Sequence, residues 1–248
     1  MKEIDSHQII RKKLVEARKS PFKAYKDITV GQVGMIKFMI YEITTSLFGC
    51  MPGGLGFFLR KSFYPRLFKS AGQGLIIGRN VVIRHPANIT LGNNVTIDDN
   101  CLIDGRGAGD KGLVLEDGVI INRNCMIQAK AGPIRLGART SIGSNSVIIS
   151  MDGVVIGQAV LTAGACYISS GSYHYDDPEM AIMDQIAYSK GPIRIGARSW
   201  LGTAVTILDG VSIGQASVIG AGAVVTKDIP DYAVAAGVPA RIIRVRNS

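Results

Sequence analysis

Residues 193–226 read IRIGARSWLGTAVTILDGVSIGQASVIGAGAVVT, and this stretch decides the fold. Glycine often follows an aliphatic residue in it, and a small side chain usually stands four positions after that aliphatic residue. A strand repeats every two residues and a helix every 3.6, so neither explains one large and one small inward position in every six residues. The pattern predicts one short strand and one sharp corner in each unit. Its aliphatic positions are Ile195, Leu201, Ile207, Ile213, Ile219 and Val225.

The same six-residue register extends back toward Ile77. Three units would form a triangular coil, and stacked coils would pair their backbone groups while aliphatic side chains form columns inside. We therefore predict a mainly β protein with a parallel β-helix at 76–231, an N-terminal basic and apolar segment at 1–75 that is partly helical, and a C-terminal tail at 232–248. The earlier aliphatic positions are Leu91, Ile97, Ile103, Leu115, Ile121, Ile127, Leu136, Ile142, Ile148, Ile156 and Ile168.

Charge is distributed unevenly along the chain. Of the net charge of +9, residues 1–75 contribute +8, from 13 Lys or Arg and 5 Asp or Glu. No helix-turn-helix, RNP-like or zinc-finger spacing accompanies the basic residues, which argues against a nucleic-acid partner. The basic segment indicates either a solvated helix face or attraction to an anionic membrane surface or an acidic glycan.

Cysteine spacing and the apolar segments bear on the compartment. The four cysteines form no CxxC pair, and Cys101, Cys125 and Cys166 stand in the small inward position, which favours a structural role in a reducing compartment. The start MKEIDSHQIIRKK has no apolar core after its charges, so we expect no cleaved secretory signal. The apolar stretch at 43–59 is interrupted by glycines and Pro52 and is too short to span a bilayer. These features predict a cytoplasmic protein and leave peripheral contact with the inner face of the membrane open.

Two stretches interrupt the repeat, and extra residues must leave a stacked coil as loops. The first is the glycine-rich DGRGAGDKG at 104–112, and a corner loop is the simplest interpretation. The second runs over 174–194 and begins at His174, six residues after Ile168. A histidine at the position where the ladder requires an aliphatic residue makes His174 a candidate catalytic residue.

The ordered motifs SSGSYHYDDP (169–178), GPIRIGARSWLG (191–202), VVTKDIP (224–230) and AGVPARIIR (236–244) resemble the hexapeptide-repeat O-acetyltransferases. The likeness is to the galactoside and maltose acetyltransferases, in particular to the branch encoded with polysaccharide biosynthesis enzymes. It implies a left-handed β-helix, a handedness that the general preference for right-handed crossovers would not favour. It also implies direct acetyl transfer from acetyl-CoA to a sugar or glycan hydroxyl, with His174 as general base and no metal.

The resemblance further implies the binding residues and the assembly. Relatives are trimers with active sites between subunits, so a homotrimer is expected. Coenzyme A would contact the residues that match the family's motif, namely Trp200, Thr203, Ala221, Thr226, Lys227, Arg241 and Arg244. The acceptor would contact Asn145, Tyr173, Tyr175 and Asp177, although the spacing before Val155 departs from the family's pattern.

Other functions stay open at this point. The same scaffold could acetylate an amine, such as that of a nucleotide-linked amino sugar. It could also be a non-enzymatic scaffold whose basic segment binds a membrane or another protein. A zinc carbonic anhydrase of β-helix fold needs three histidine ligands, whereas this chain has three histidines in all, at His7, His85 and His174, and only His174 lies among the later coils.

Overall fold

The computed structural model describes residues 2–4 and 20–246, so His7 lies outside the described residues. About seven coils stack along one axis, and each coil contributes one short strand to each of three parallel sheets. The predicted fold class, a mainly β parallel β-helix preceded by a helical segment, is confirmed.

The three sheets are numbered here in the order in which each coil passes through them. The first sheet contains β2 (Ser70–Ala71), β5 (Ile89–Leu91), β8 (Leu113–Leu115), β11 (Ile134–Leu136), β14 (Val154–Ile156), β19 (Ile193–Ile195) and β22 (Ser212–Ile213). The third sheet contains β4 (Val82–Arg84), β7 (Leu102–Asp104), β10 (Met126–Ala129), β13 (Val147–Ser150), β16 (Tyr167–Ser169), β21 (Thr206–Ile207) and β24 (Val224–Val225).

The second sheet is the longest because the C-terminus extends it. Its last strand pairs antiparallel with the strand before it, whereas all others pair in parallel. Parallel pairing between coils thus runs from Ser70 to Ala235, and the final antiparallel strand continues the sheet to Val245. The strands are β3 (Ile76–Ile77), β6 (Thr96–Ile97), β9 (Ile120–Ile121), β12 (Ser141–Ile142), β15 (Leu161–Thr162), β20 (Trp200–Leu201), β23 (Val218–Ile219), β25 (Ala233–Ala236) and β26 (Arg241–Val245).

Columns of aliphatic side chains form the core, as the six-residue register predicts. In the third sheet Ile103, Ile127 and Ile148 lie in register on neighbouring strands, and each is fully buried. A column two residues earlier holds Cys101, Cys125 and Cys166, all buried, with each thiol directed at a carbonyl oxygen of the next coil. Burial raises the pKa of the Cys166 thiol, which keeps this thiol protonated and supports a structural role for Cys166.

The corners repeat a left-handed backbone conformation in every coil. Between the second and third sheets the residue with positive φ is Asn80, Asn100, Asn124, Asn145, Ala165, Ala204 or Gly222, coil by coil. Asparagine tolerates this conformation better than most residues, and neighbouring asparagines bond to each other, as Asn124 does when its amide donates to Asn145 Oδ1 (3.2 Å). The left-handed corner thus explains the column of asparagines, which the six-residue aliphatic pattern does not predict.

Three helices close the N-terminal end of the prism: α1 (Pro21–Thr29), α2 (Met35–Phe48) and α3 (Gly53–Phe63). A short 3₁₀ turn follows at Tyr64–Leu67, and Tyr64 and Phe68 join the aliphatic core of the first coil. An end coil would otherwise expose its core, so this segment serves as a terminal cap. In the described part of the chain no helix combines the length and the apolar character that crossing a membrane requires.

Candidate active site

The loop that begins after β16 is an antiparallel hairpin rather than an irregular excursion. Its strands are β17 (Ser172–Tyr173) and β18 (Ala187–Ser189), with a 3₁₀ turn at Ile182–Asp184 between them. The N-terminal strand β1 (Lys2–Ile4) pairs antiparallel with the other edge of β18. Backbone pairing on both sides of β18 therefore fixes where the loop returns to the coil.

His174 lies at the end of β17, where its backbone N–H donates to Ile186 O (3.1 Å). Its ring lies against the Tyr188 ring, with 4.5 Å between the ring centroids. The side chain is 31% exposed, and its Nδ1 lies 3.8 Å from Asp176 Oδ2. His174 is thus held by its backbone and one aromatic face, yet remains open to a ligand.

Asp209 fastens the hairpin to the β-helix. Its Oδ1 accepts hydrogen bonds from Gly171 N (2.7 Å) and Ser189 Oγ (2.9 Å), and its Oδ2 accepts one from Lys190 N (2.6 Å). Both ends of the hairpin are therefore bound to one carboxylate. Gly171 enters the loop at φ +95°, where an added Cβ would lie 2.5 Å from the Met151 side chain. Sequence reasoning missed Asp209 because nothing in the repeat distinguishes it from other corner acids.

Gln185, for which the sequence indicated no role, stabilises the tip of the loop through hydrogen bonds to the loop backbone. Its buried amide donates to Asp177 O (2.8 Å) and Met180 O (3.0 Å). The Asp177 carboxylate accepts Glu179 N (2.9 Å), so this predicted acceptor residue also stabilises its own turn. Of the other two predicted acceptor residues in this loop, Tyr175 is exposed, whereas Tyr173 packs against Met151 and Ala187.

The predicted coenzyme residues fall into two groups. Trp200 projects from the outer face of the second sheet, and the register joins it through Val218 and Val234 to Arg244. Three strand spacings separate Trp200 from Arg244, or about 14 Å. Thr203 and Ala221 are exposed at the neighbouring corner, and Arg241 is exposed on β26.

Thr226 and Lys227 lie elsewhere, beyond β24 at the far edge of the third sheet. The His174 hairpin leaves the coil at that same edge, after β16. Asn145 is exposed at the corner between the second and third sheets, as part of the asparagine column. Within one chain the predicted residues therefore stand along two edges of a convex prism, with the third sheet between His174 and Trp200.

A groove of about 640 Å³ runs along the first sheet at the C-terminal coils, bordered by Arg194, Gln215, Asp228 and Asp231. None of the predicted catalytic or binding residues lines it. Residues 2–4 and 20–246 contain no cluster of three His, Cys, Asp or Glu side chains suited to a metal ion.

Comparison with known proteins finds hexapeptide repeats and acetyltransferase relatives. The family model described as the hexapeptide repeat of succinyl-transferase matches residues 133–169 and 192–227. A probable acetyltransferase of Mycobacterium tuberculosis is 39% identical over 120 residues, which cover 48% of this chain and 40% of that protein. Galactoside O-acetyltransferase of Escherichia coli is 61% identical over 56 residues, covering 23% of this chain and 28% of that enzyme.

Solved structures support the fold. AntD, an N-acyltransferase from Bacillus cereus solved in complex with dTDP and coenzyme A, matches with a TM-score of 0.52 and 19% identity, covering 73% of this chain and 85% of AntD. The matched part spans only 40% of the length of the Mycobacterium tuberculosis protein and 28% of that of the Escherichia coli enzyme. The chain is a parallel β-helix that carries hexapeptide repeats over residues 133–169 and 192–227, and its sequence resembles the galactoside-type O-acetyltransferases.

Proposed function

We propose that the protein transfers an acetyl group from acetyl-CoA to a hydroxyl group of a sugar or polysaccharide precursor, with His174 as general base. The observation that carries the proposal is the location of His174 on a hairpin that a hexapeptide β-helix holds at both ends. An imidazole has a pKa suited to proton transfer near neutral pH, and the partly exposed ring can be reached by an acceptor.

The reaction would proceed in one ternary complex. One nitrogen of His174 takes the proton of the acceptor hydroxyl as the hydroxyl oxygen attacks the thioester carbonyl carbon. The tetrahedral oxyanion then collapses, the carbon–sulfur bond breaks, and the imidazolium returns the proton to the leaving coenzyme A thiolate. Asp176, near Nδ1, would stabilise the imidazolium while it exists.

Coenzyme A would lie along the outer face of the second sheet. Its pantetheine arm would pass Trp200, Thr203 and Ala221, and its phosphates would meet Arg241 and Arg244. Arginine binds phosphate oxygens through charge-assisted hydrogen bonds, and the row from Trp200 to Arg244 gives an extended ligand about 14 Å of surface. Thr226 and Lys227 would contact coenzyme A from a different edge of the prism.

The division of these residues between two edges supports a site shared by subunits. In a homotrimer, His174 of one subunit would face the Trp200 surface of its neighbour. Tyr173, Tyr175, Asp177 and Asn145 would then contribute to the acceptor side. Coexpression of His174→Ala with Trp200→Ala chains tests this arrangement. A shared site restores about one quarter of the activity at equal mixing, whereas a site within one chain restores none.

The acceptor is tested with a panel of sugars, nucleotide-linked amino sugars and glycan fragments, assayed for thiol release from acetyl-CoA and for an acetylated product by mass spectrometry. We expect an ester on a sugar hydroxyl. Amide products would replace the proposed reaction by N-acetylation. Failure to bind acetyl-CoA by titration calorimetry would favour a non-enzymatic scaffold.

A further inference from the structure

Helix α2 is apolar on the side that faces away from the protein as well as on the side that packs against it. Ile36, Ile40, Ile43 and Leu47 follow each other at spacings of four, three and four residues, which aligns them in one stripe. All four are exposed, Ile36 to 78%. The buried residues of the same helix, Phe38, Tyr41 and Thr44, lie outside this stripe and pack against the protein. A helix apolar all round is usual where protein or lipid covers both sides.

Helix α3 continues this surface. Leu55 and Phe58 are 66% and 64% exposed and stand three residues apart on one face of the helix. The ring of Phe63 lies 5.0 Å from that of Phe48 at the end of α2, which joins the two helices. We call Ile36, Ile40, Ile43, Leu47, Leu55 and Phe58 the helical surface. Several large apolar side chains exposed on two packed helices are typical of an interaction site.

Basic residues accompany the helical surface. Residues 20–69 hold seven Lys or Arg and two Asp or Glu, a net charge of +5. Lys37 stands three residues before Ile40 and Lys61 three after Phe58, so both share faces with the apolar residues, and both are exposed. The Arg66 guanidinium lies 5.6 Å from the centre of the Phe63 ring. Of the two acids, Glu42 accepts a hydrogen bond from Tyr25.

The helical surface is mounted rigidly on the first coil. The buried Arg60 donates to Ile77 O (3.0 Å), Phe48 O (3.0 Å) and Met51 O (2.7 Å), which fixes α3 against both α2 and the β-helix. The Tyr41 hydroxyl donates to Ile83 O (2.7 Å). The apolar side chains are therefore presented together without a further ordering cost.

We propose that this surface docks the protein on an anionic lipid bilayer, with α2 lying in the plane of the interface. The exposed apolar stripe would enter the acyl-chain region of the bilayer, and the lysines on the same faces would contact the anionic lipid headgroups. The 14 residues of α2 extend about 21 Å, enough to lie along a membrane and short of the roughly 20 residues that a spanning helix needs. The proposal does not depend on acetyl transfer.

The full chain is tested by flotation with vesicles of phosphatidylcholine alone or of phosphatidylcholine mixed with phosphatidylglycerol. We expect binding to the anionic vesicles and at least about tenfold weaker binding to the neutral ones. The triple variant Ile36→Ser, Ile40→Ser, Ile43→Ser and the double variant Lys37→Ser, Lys61→Ser should each weaken anionic binding by at least about tenfold. Val238→Ser with Ile243→Ser is the matched control, since both side chains are highly exposed at the C-terminal part of the chain.

Circular dichroism and light scattering on every variant separate docking from folding and assembly. Equal binding by the wild type and the triple variant would overturn the proposal, as would wild-type binding to neither vesicle. If the triple variant instead lost its oligomeric state while the wild type ignored vesicles, the helical surface would be a contact between protein subunits. Lys37→Ser with Lys61→Ser keeps the apolar surface, so a folding defect in the triple variant leaves the charge test decisive.

Discussion

Asp209 should control activity without touching either substrate. Its carboxylate accepts three hydrogen bonds, from Gly171 N, Ser189 Oγ and Lys190 N, at both ends of the hairpin that carries His174. Hydrogen bonds to a charged group contribute about 1.5–3 kcal/mol each, and partial exposure of Asp209 lowers this because water can replace the carboxylate. Asp209→Ala should therefore weaken hairpin docking by about 3 kcal/mol.

A displaced hairpin moves His174 away from the acceptor but leaves the Trp200 surface unchanged. A misplacement of about 1 Å can cost about 100-fold in rate, so we expect Asp209→Ala to lower kcat/KM for the acceptor by about that factor. The Kd for acetyl-CoA should change little. Asp209→Asn keeps one carbonyl oxygen for Gly171 N and Ser189 Oγ but turns an amide toward Lys190 N, so its loss should be smaller, about tenfold.

Steady-state kinetics and hydrogen exchange over residues 171–190 measure the two effects together. The matched control is Asp99→Asn, because Asp99 accepts Arg79 N (2.6 Å) at a corner remote from the hairpin and should leave both measurements unchanged. A kcat/KM of Asp209→Ala within threefold of wild type, far from the roughly 100-fold loss expected, would refute this role of Asp209. Unchanged hydrogen exchange in the hairpin would refute it as well.

Three further predictions concern the scaffold. In the folded protein a thiol reagent at neutral pH should label Cys50 alone, and unfolding should expose the buried thiols of Cys101, Cys125 and Cys166; labelling of several thiols before unfolding would contradict the inward column. Burial raises the pKa of Tyr64 from 10.0 to about 12, so the folded state keeps this proton longer and stability should fall as pH rises from 10 to 12. Tyr64→Phe, which removes a hydroxyl without a hydrogen-bond partner among the described atoms, should flatten that fall in urea titrations and leave stability at pH 7 unchanged or higher by up to about 1 kcal/mol. Ala204→Gly should raise the free energy of unfolding by up to about 1 kcal/mol, because Ala204 has φ +58°; a loss of stability would argue against corner strain.

Periodicity made the core predictable. Because three six-residue units make one coil, each inward aliphatic side chain packs on an aliphatic side chain of the next coil. The local pattern therefore also predicts this long-range contact. The inward cysteines follow from the same register, and their burial confirms it. The corner asparagines, including Asn145, form a second column. Their left-handed backbone conformation is not indicated by the aliphatic pattern.

The ends of the prism and the attachments of the loop were not predictable in this way. Asp209 meets Gly171 across 38 residues and Ser189 across 20, and these contacts exist only because the hairpin returns to the same corner. Pairing of β1 with β18 and of β26 with β25 likewise joins segments that share no repeat. Irregular contacts of this kind depend on the assembled structure rather than on any local sequence signal.

His174 is proposed here to take the proton of the acceptor hydroxyl. The direct measurement is acetyl transfer by His174→Ala beside the wild type, with titration calorimetry of acetyl-CoA on the same preparations. We expect the variant to bind acetyl-CoA with an unchanged Kd and to lose acetyl transfer by at least about 100-fold, as for removal of a general base. Wild-type rates in His174→Ala, with the acetyl group still reaching the acceptor, would contradict it.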